Sequence, residues 1–275
     1  MENVDHRCWC CFGGWQSHNM GDITMAIRKT SVAILAFLSL FFTPAYAEWS
    51  IDAMNDQIEK TNVEVGGSCS GTIISAEERI VLTAHHCING QVIEVEEKII
   101  NEVTGEIVVK KVQKKLPLSI KIHKTIDYEI VSTDELLVKI VGIDPKNDIA
   151  ILQVVDVEFK PSMAAKLAPD TYRLKRGMKV YAVGNPGVVY GNSITEGIVS
   201  APERTVSFGP GQEFKMFQHS ASTIGGNSGG SILNENGELI GTVTGGLRGT
   251  AVSFAIPIER TKDLIRKSGF ERILK

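Results

Sequence analysis

The chain has 275 residues, 43% hydrophobic and 22% charged, a globular composition with room for one large domain or two small ones. Its net charge of −3 offers no broad basic surface, so a nucleic-acid partner is not expected. No solenoid-length period and no low-complexity segment is present.

From Met25 a short basic start (Arg28, Lys29) leads into an apolar run, Val32 to Phe42, and then Ala45-Tyr46-Ala47. This order predicts a signal peptide over 25–47, cut after Ala47, and export to the periplasm or the extracellular space. The uninterrupted apolar run is well short of the roughly 20 residues that span a bilayer, so no stable membrane anchor is expected after cleavage. Residues 1–24 stand oddly ahead of a signal. Cys8, Cys10 and Cys11 could form a zinc-binding arm, but they lack the paired C-x2-C units of a structural zinc site. We read 1–24 as a mis-assigned extension, with translation starting at Met25 or Met20, and expect neither metal nor organic cofactor. Of five cysteines the mature chain then keeps Cys69 and Cys87. In an exported protein these are most simply a disulfide, which would stabilise the fold by roughly 3 kcal/mol. The alternative is two buried thiols.

SIDAMNDQIEKT reads as a short helix before the first strand. Beyond residue 62 the pattern is β-rich, with the runs GTIIS, RIVLTA, VIEVEE, EIVVKKV, ELLVKIVGI, IAILQVV, KVYAVG, GIVSA, GSIL, ELIGTVTG and AVSFAI between turn-forming residues. The fold class is therefore all-β, a sandwich or a pair of barrels. Glu94 to Lys124, acidic first and basic later, predicts a solvated hairpin turning near Thr104-Gly105 with opposite charges facing across it. Asn236-Gly237 between apolar runs predicts a tight hairpin. PIERTKDLIRKSG predicts a final helix that starts at Pro257, ends at Gly269 and buries Ile258, Leu264 and Ile265.

The chemistry is concentrated in two places. STIGGNSGGSIL sets Ser228 among glycines, which allow a tight turn that exposes a hydroxyl beside backbone N–H groups. LTAHHC carries His85 and His86. An α/β-hydrolase would need a histidine after the serine, and none follows His219. A subtilisin order would need an aspartate before the histidine, where the mature chain has only Asp52 and Asp56 in the first helix. The order left is His, Asp, Ser. Asp148, between a polar loop and the run IAILQVV, is the best placed carboxylate. Asp144 is second but precedes Pro145 and reads as a turn residue, and Asp127 and Asp134 read as surface.

LTAHHC, NDIAIL and GNSGG resemble the histidine, aspartate and serine boxes of chymotrypsin-like serine proteases. AVGNP, SITEGIVSAPER, GGNSGG, NGELIG and SFAIP are similar, in order, to segments of bacterial HtrA/DegP-type proteases. The resemblance covers roughly residues 63–270. It implies two six-stranded antiparallel β-barrels with a cleft between them, within a protease domain at 48–275: an N-terminal barrel at about 62–160, a C-terminal barrel at about 170–257 and a helix at about 257–269. It also implies a triad of His86, Asp148 and Ser228, an oxyanion hole from the N–H groups of Gly226 and Ser228, and a Cys69–Cys87 bridge.

Departures from the family shape further expectations. The chain ends after the last helix, so no PDZ domain and no regulation by one is expected. Asn227 stands where digestive proteases carry an aspartate, so activation by a new N-terminal ammonium is not expected. HSASTI lacks a carboxylate, which predicts a pocket formed by Thr223, Thr244 and Gly246 that prefers small or medium apolar residues. The family box makes His86 the base and His85 a bystander, on the view that neighbouring side chains of an extended chain point apart. The function expected is an exported serine endopeptidase acting on proteins or peptides. The competing reading is a catalytically silent protease-fold binding module.

Overall fold

The computed structural model describes residues 49–275, except 90–91, 101–106, 116, 208, 210–212 and 248. The expected signal peptide and the Cys8, Cys10 and Cys11 group lie outside the described residues. Helix α1 (Ile51–Thr61) starts at Ser50, whose hydroxyl accepts from the Ala53 N–H at 3.2 Å. Strands β1 (Asn62–Val65), β2 (Cys69–Ser75) and β3 (Ile80–Ala84) follow. A hairpin of β4 (Val92–Ile100) and β5 (Ile107–Lys115) comes next, then β6 (Ser119–Ile126), β7 (Glu129–Asp144) and β8 (Ile149–Val154). The second half comprises β9 (Lys179–Gly184), β10 (Ser193–Ser207), β11 (Glu213–His219), β12 (Ser231–Leu233), β13 (Leu239–Gly246) and β14 (Ser253–Pro257), closed by helix α2 (Ile258–Lys267).

The strands form two closed six-stranded barrels, in the orders β1-β2-β3-β8-β7-β6 and β10-β11-β14-β13-β12-β9, while β4 and β5 pair with each other. All ladders between named strands are antiparallel. Strands β3 and β8 explain why IVLTA and IAILQVV read as continuous apolar runs rather than alternating ones. Val81, Ala150 and Leu152 pack into the first barrel's core, whereas Ile80, Leu82, Ile149 and Ile151 join the cluster that fills the second. A strand buried on both faces has no polar side to show. Pro202 falls within the irregular pairing between Ala201 and Arg204 of β10, where a missing N–H costs no regular ladder bond.

The charged hairpin forms with opposite charges facing across it, Glu96 opposite Lys111 and Glu97 opposite Lys110. It ends earlier than read, because Pro117 interrupts the chain and Lys121 and Lys124 belong to β6. The turn expected at Thr104-Gly105 lies outside the described residues. The Asn236-Gly237 turn is present, with Gly237 at φ +74° joining β12 to β13. Helix α2 buries Ile258, Leu264 and Ile265 as read, and also Lys262, whose Nζ donates to Ala168 O at 2.5 Å and Asp170 Oδ1 at 2.6 Å. Cys69 and Cys87 form a disulfide with Cα atoms 5.9 Å apart, which ties β2 to the turn after β3. Among the described residues no helix is long and apolar enough to cross a membrane.

His219, at the end of β11, is fully buried beside Phe217, with ring centroids 5.9 Å apart. Burial drives its imidazole down to about 4, against a smaller upward pull from the Ala221 backbone. An unfolded histidine takes its proton near 6.5, so between there and about pH 4 the unfolded chain binds more protons than the folded one. Stability therefore falls as pH is lowered through that window, with His219 contributing about 3 kcal/mol of the loss. Urea denaturation at a series of pH values should show a shallower decline for His219→Phe than for the parent protein.

Candidate active site

The site grows from the β3–β8 ladder. Ala84 pairs with Ile149, the last pair of that register, so the residues just beyond, 85–86 and 148, leave the barrel side by side. The ladder continues once more, the His85 N–H donating to Asp148 O at 3.0 Å. The chain then turns at once into a 3-10 helix, His85–Asn89. This corrects the reason given for separating the two histidines. They are not on extended backbone; it is the tight turn, about three residues per revolution, that sets their side chains apart. His86 turns to Asp148: its backbone N–H donates to Oδ1 at 3.0 Å, and its Nδ1 lies 2.8 Å from Oδ2 and 3.1 Å from Oδ1.

Asp148 caps the 3-10 turn Pro145–Asn147 in a left-handed conformation, φ 53° and ψ 43°. A short polar side chain tolerates that region better than a branched one. Asp144 plays the turn role read for it, its carboxylate accepting from the Asn147 N–H and Nδ2. The Asp148 carboxyl is nearly buried. Burial is the largest influence on it and raises its pKa, but the His86 hydrogen bond and charge and the Thr244 hydroxyl together hold it below the ordinary 3.8. It is a carboxylate at neutral pH and orients the imidazole as a fixed negative charge.

Thr244 sits otherwise than the sequence suggested. Its hydroxyl donates to Asp148 Oδ2, and its carbonyl accepts from Ser228 Oγ at 3.2 Å. One residue of β13 thus touches the carboxylate of one barrel and the serine of the other. It is absent from the lining of the cleft beside Ser228, a depression of about 770 Å³ whose walls include Ser222, Thr223, Ile224, Gly225 and Gly246. Thr223 and Gly246 both line this cleft, and Thr223 Oγ1 donates to Ser253 Oγ at 2.8 Å. Among the described residues none of those lining this cleft is charged.

The serine turn is held by close approach. Gly226 has φ +102°, and a side chain there would run into the carbonyl of Asn185; Gly229 has φ +84° and lies against Ser70 and Thr83. The Asn227 N–H, between the two expected oxyanion donors, is bonded to Ile224 O at 3.1 Å. Sequence reading missed Ser70 and Asn185, both fully buried and both bonded around this turn, although Asn185 lies in the AVGNP segment. The Cys69 and Cys87 sulfurs and a His86 ring nitrogen lie within 4.8 Å of one another. The sulfurs are joined in the disulfide, so they offer no thiolate to a metal.

Residues 69–241 match the model of the trypsin-like peptidase domain, more than half of the chain. The chain belongs to the trypsin-like peptidase family. Similar proteins include the periplasmic pH-dependent serine endoprotease DegQ of Escherichia coli, 33% identical over 206 residues, covering 73% of this chain and 37% of DegQ. The serine protease Do-like HtrA of Lactobacillus helveticus is 35% identical over 146 residues, covering 49% of this chain and 35% of the relative. This peptidase-family chain thus spans about a third of the length of the curated relatives it matches. The crystal structure of the MamO protease domain from Magnetospirillum magneticum shares the fold, with a TM-score of 0.56 and 18% identity over 74% of this chain and 95% of that one.

The two histidines separate cleanly by experiment. In a peptidase assay His86→Ala should lose roughly 10⁴- to 10⁶-fold in kcat, the scale on which serine-protease triads lose a member, while His85→Ala keeps most of it.

Proposed function

We propose that this chain is an exported serine endopeptidase that hydrolyses peptide bonds through an acyl-enzyme. The supporting observation is the run of bonds from His86 to Asp148 to Thr244 to Ser228, which joins a base, its orienting carboxylate and a hydroxyl across the two barrels. Ser228 Oγ attacks the substrate carbonyl carbon and passes its proton to Nε2 of His86. The Asp148 carboxylate keeps the other ring proton on Nδ1 and balances the imidazolium that forms. The N–H groups of Gly226 and Ser228 receive the negative oxygen of the tetrahedral intermediate. His86 then returns its proton to the leaving amine, and water reverses the sequence at the acyl group. These steps need no metal or organic cofactor.

The DegQ relative is named periplasmic, and export of this chain rests on that likeness together with the 25–47 segment and the disulfide. The described residues that line the cleft, none of them charged, support a preference for small or medium apolar side chains before the cleaved bond, since a buried charge would find no partner among them. A fluorophosphonate probe should label the parent protein and not Ser228→Ala. Equal labelling of the two would leave the silent binding module as the better reading. A peptide-library digest should show cleavage after residues such as Ala, Val or Leu, and strict cleavage after arginine would contradict the apolar pocket.

A further inference from the structure

The serine turn contains four successive peptide groups, and each has an identifiable restraint. The group between Gly225 and Gly226 is held by the Gly187 N–H, which donates to Gly225 O at 2.7 Å. The next is held at both ends: Ser70 Oγ donates to Gly226 O at 2.7 Å, and the Asn227 N–H donates to Ile224 O. The third is held by the Gly230 N–H, donating to Asn227 O at 3.0 Å. The fourth is again held twice, the Ser70 N–H donating to Ser228 O and the Gly229 N–H to Val243 O, both at 2.7 Å. Ser70, on β2 of the first barrel, therefore grips the turn of the second barrel on both sides of Asn227. The peptide group caught by its hydroxyl separates the two that carry the Gly226 and Ser228 N–H groups.

A hydroxyl has one proton to give and two lone pairs to receive. Both lone pairs of Ser70 Oγ face Asn185, whose backbone N–H donates at 2.8 Å and whose Nδ2 donates at 3.3 Å. The proton is thereby directed to Gly226 O. Asn185 cannot turn its amide around. Its Nδ2 also donates to Val63 O at 2.9 Å, and its Oδ1 accepts from Asn62 Nδ2 at 3.0 Å and the Asn192 N–H at 3.1 Å. All four hydrogen-bonding positions of this buried amide are filled, so its orientation is fixed by the network rather than chosen.

We infer that Ser70 is a positioning residue for the oxyanion hole, and that Asn185 acts through it by setting the direction of its proton. This rests on the serine-peptidase reading above. Without the hydroxyl, the Gly226–Asn227 peptide group keeps only its bond to Ile224 O and can rock, carrying the flanking N–H groups away from a common focus. The loss falls on the transition state, since a neutral substrate carbonyl asks little of those donors and an oxyanion asks much.

The test is the time course of fluorophosphonate labelling, with steady-state kinetics on a peptide substrate. Ser70→Ala should be labelled to the parent's final stoichiometry but roughly 10- to 100-fold more slowly, less than the roughly 10²- to 10³-fold cost of removing an oxyanion donor outright, with kcat reduced alike and KM little changed. Asn185→Asp keeps the Ser70 side chain but places an acceptor where Nδ2 was, drawing the proton from Gly226 O. It should be slowed in the same way. A merely structural role would instead lower the final stoichiometry and leave the rate per labelled site as in the parent, and that result overturns the inference. Should Ser70→Ala not fold, Ser70→Gly and Asn185→Asp carry the same comparison of rate against stoichiometry. A parent protein that takes no label removes the serine-peptidase reading itself, whereas a labelled parent with an equally fast Ser70→Ala removes only the positioning role.

Discussion

The pairing of β3 with β8 is the constraint on which the rest depends. Both strands are buried on both faces, one within the first barrel's core and the other in the cluster that joins both helices to the second barrel. A slip of one residue would exchange every side chain between the two cores, so this register is among the most strongly specified in the molecule. His86 and Asp148 are set just beyond its last pair, Ala84 with Ile149. The geometry of the imidazole and carboxylate is thus inherited from core packing.

The serine comes from the other barrel, and the seam between barrels is where precision has to be imposed. Apolar packing alone is weakly directional. Directional bonds do that work here: Thr244 spans Asp148 and Ser228, Ser70 holds the serine turn, and Asn185 links that turn to β1. The disulfide anchors Cys69, next to Ser70, to Cys87, next to His86. Each half of the disulfide therefore stands next to a residue bonded within the site, Ser70 beside Cys69 and His86 beside Cys87. Buried polar groups of this kind are costly unless fully bonded, and Asn185 is fully bonded.

Much of the fold was legible because long apolar runs and turn residues carry their own local signals. The strands that carry no such signal have physical reasons to be inconspicuous. Strand β1 is only four residues long and includes Asn62 and Glu64, buried polar groups whose partners come from elsewhere in the fold. Strand β6 mixes Lys121 and Lys124 with Ile120 and the buried His123, and so passed for part of the charged hairpin. In β11 Lys215 and Gln218 interrupt the apolar pattern around Met216 and Phe217. Thr244 was read as a pocket wall because a strand position beside the serine can face either the cleft or the seam, and sequence does not say which.

What the sequence by itself determined is the inventory and its order: a histidine before a cysteine, an aspartate entering an apolar strand, a serine among glycines, and the short apolar runs between turn residues that make the fold all-β. Those are local properties, encoded by residue type and spacing. Tertiary structure alone decided which groups meet across long separations. Ser70 meets Gly226 from 156 residues away, Asn62 meets Asn185 from 123, and Thr244 meets Asp148 from 96. Such contacts depend on how two separately closed barrels dock. Serine, asparagine and threonine hydroxyls and amides look alike in sequence whether they face water or complete a buried network.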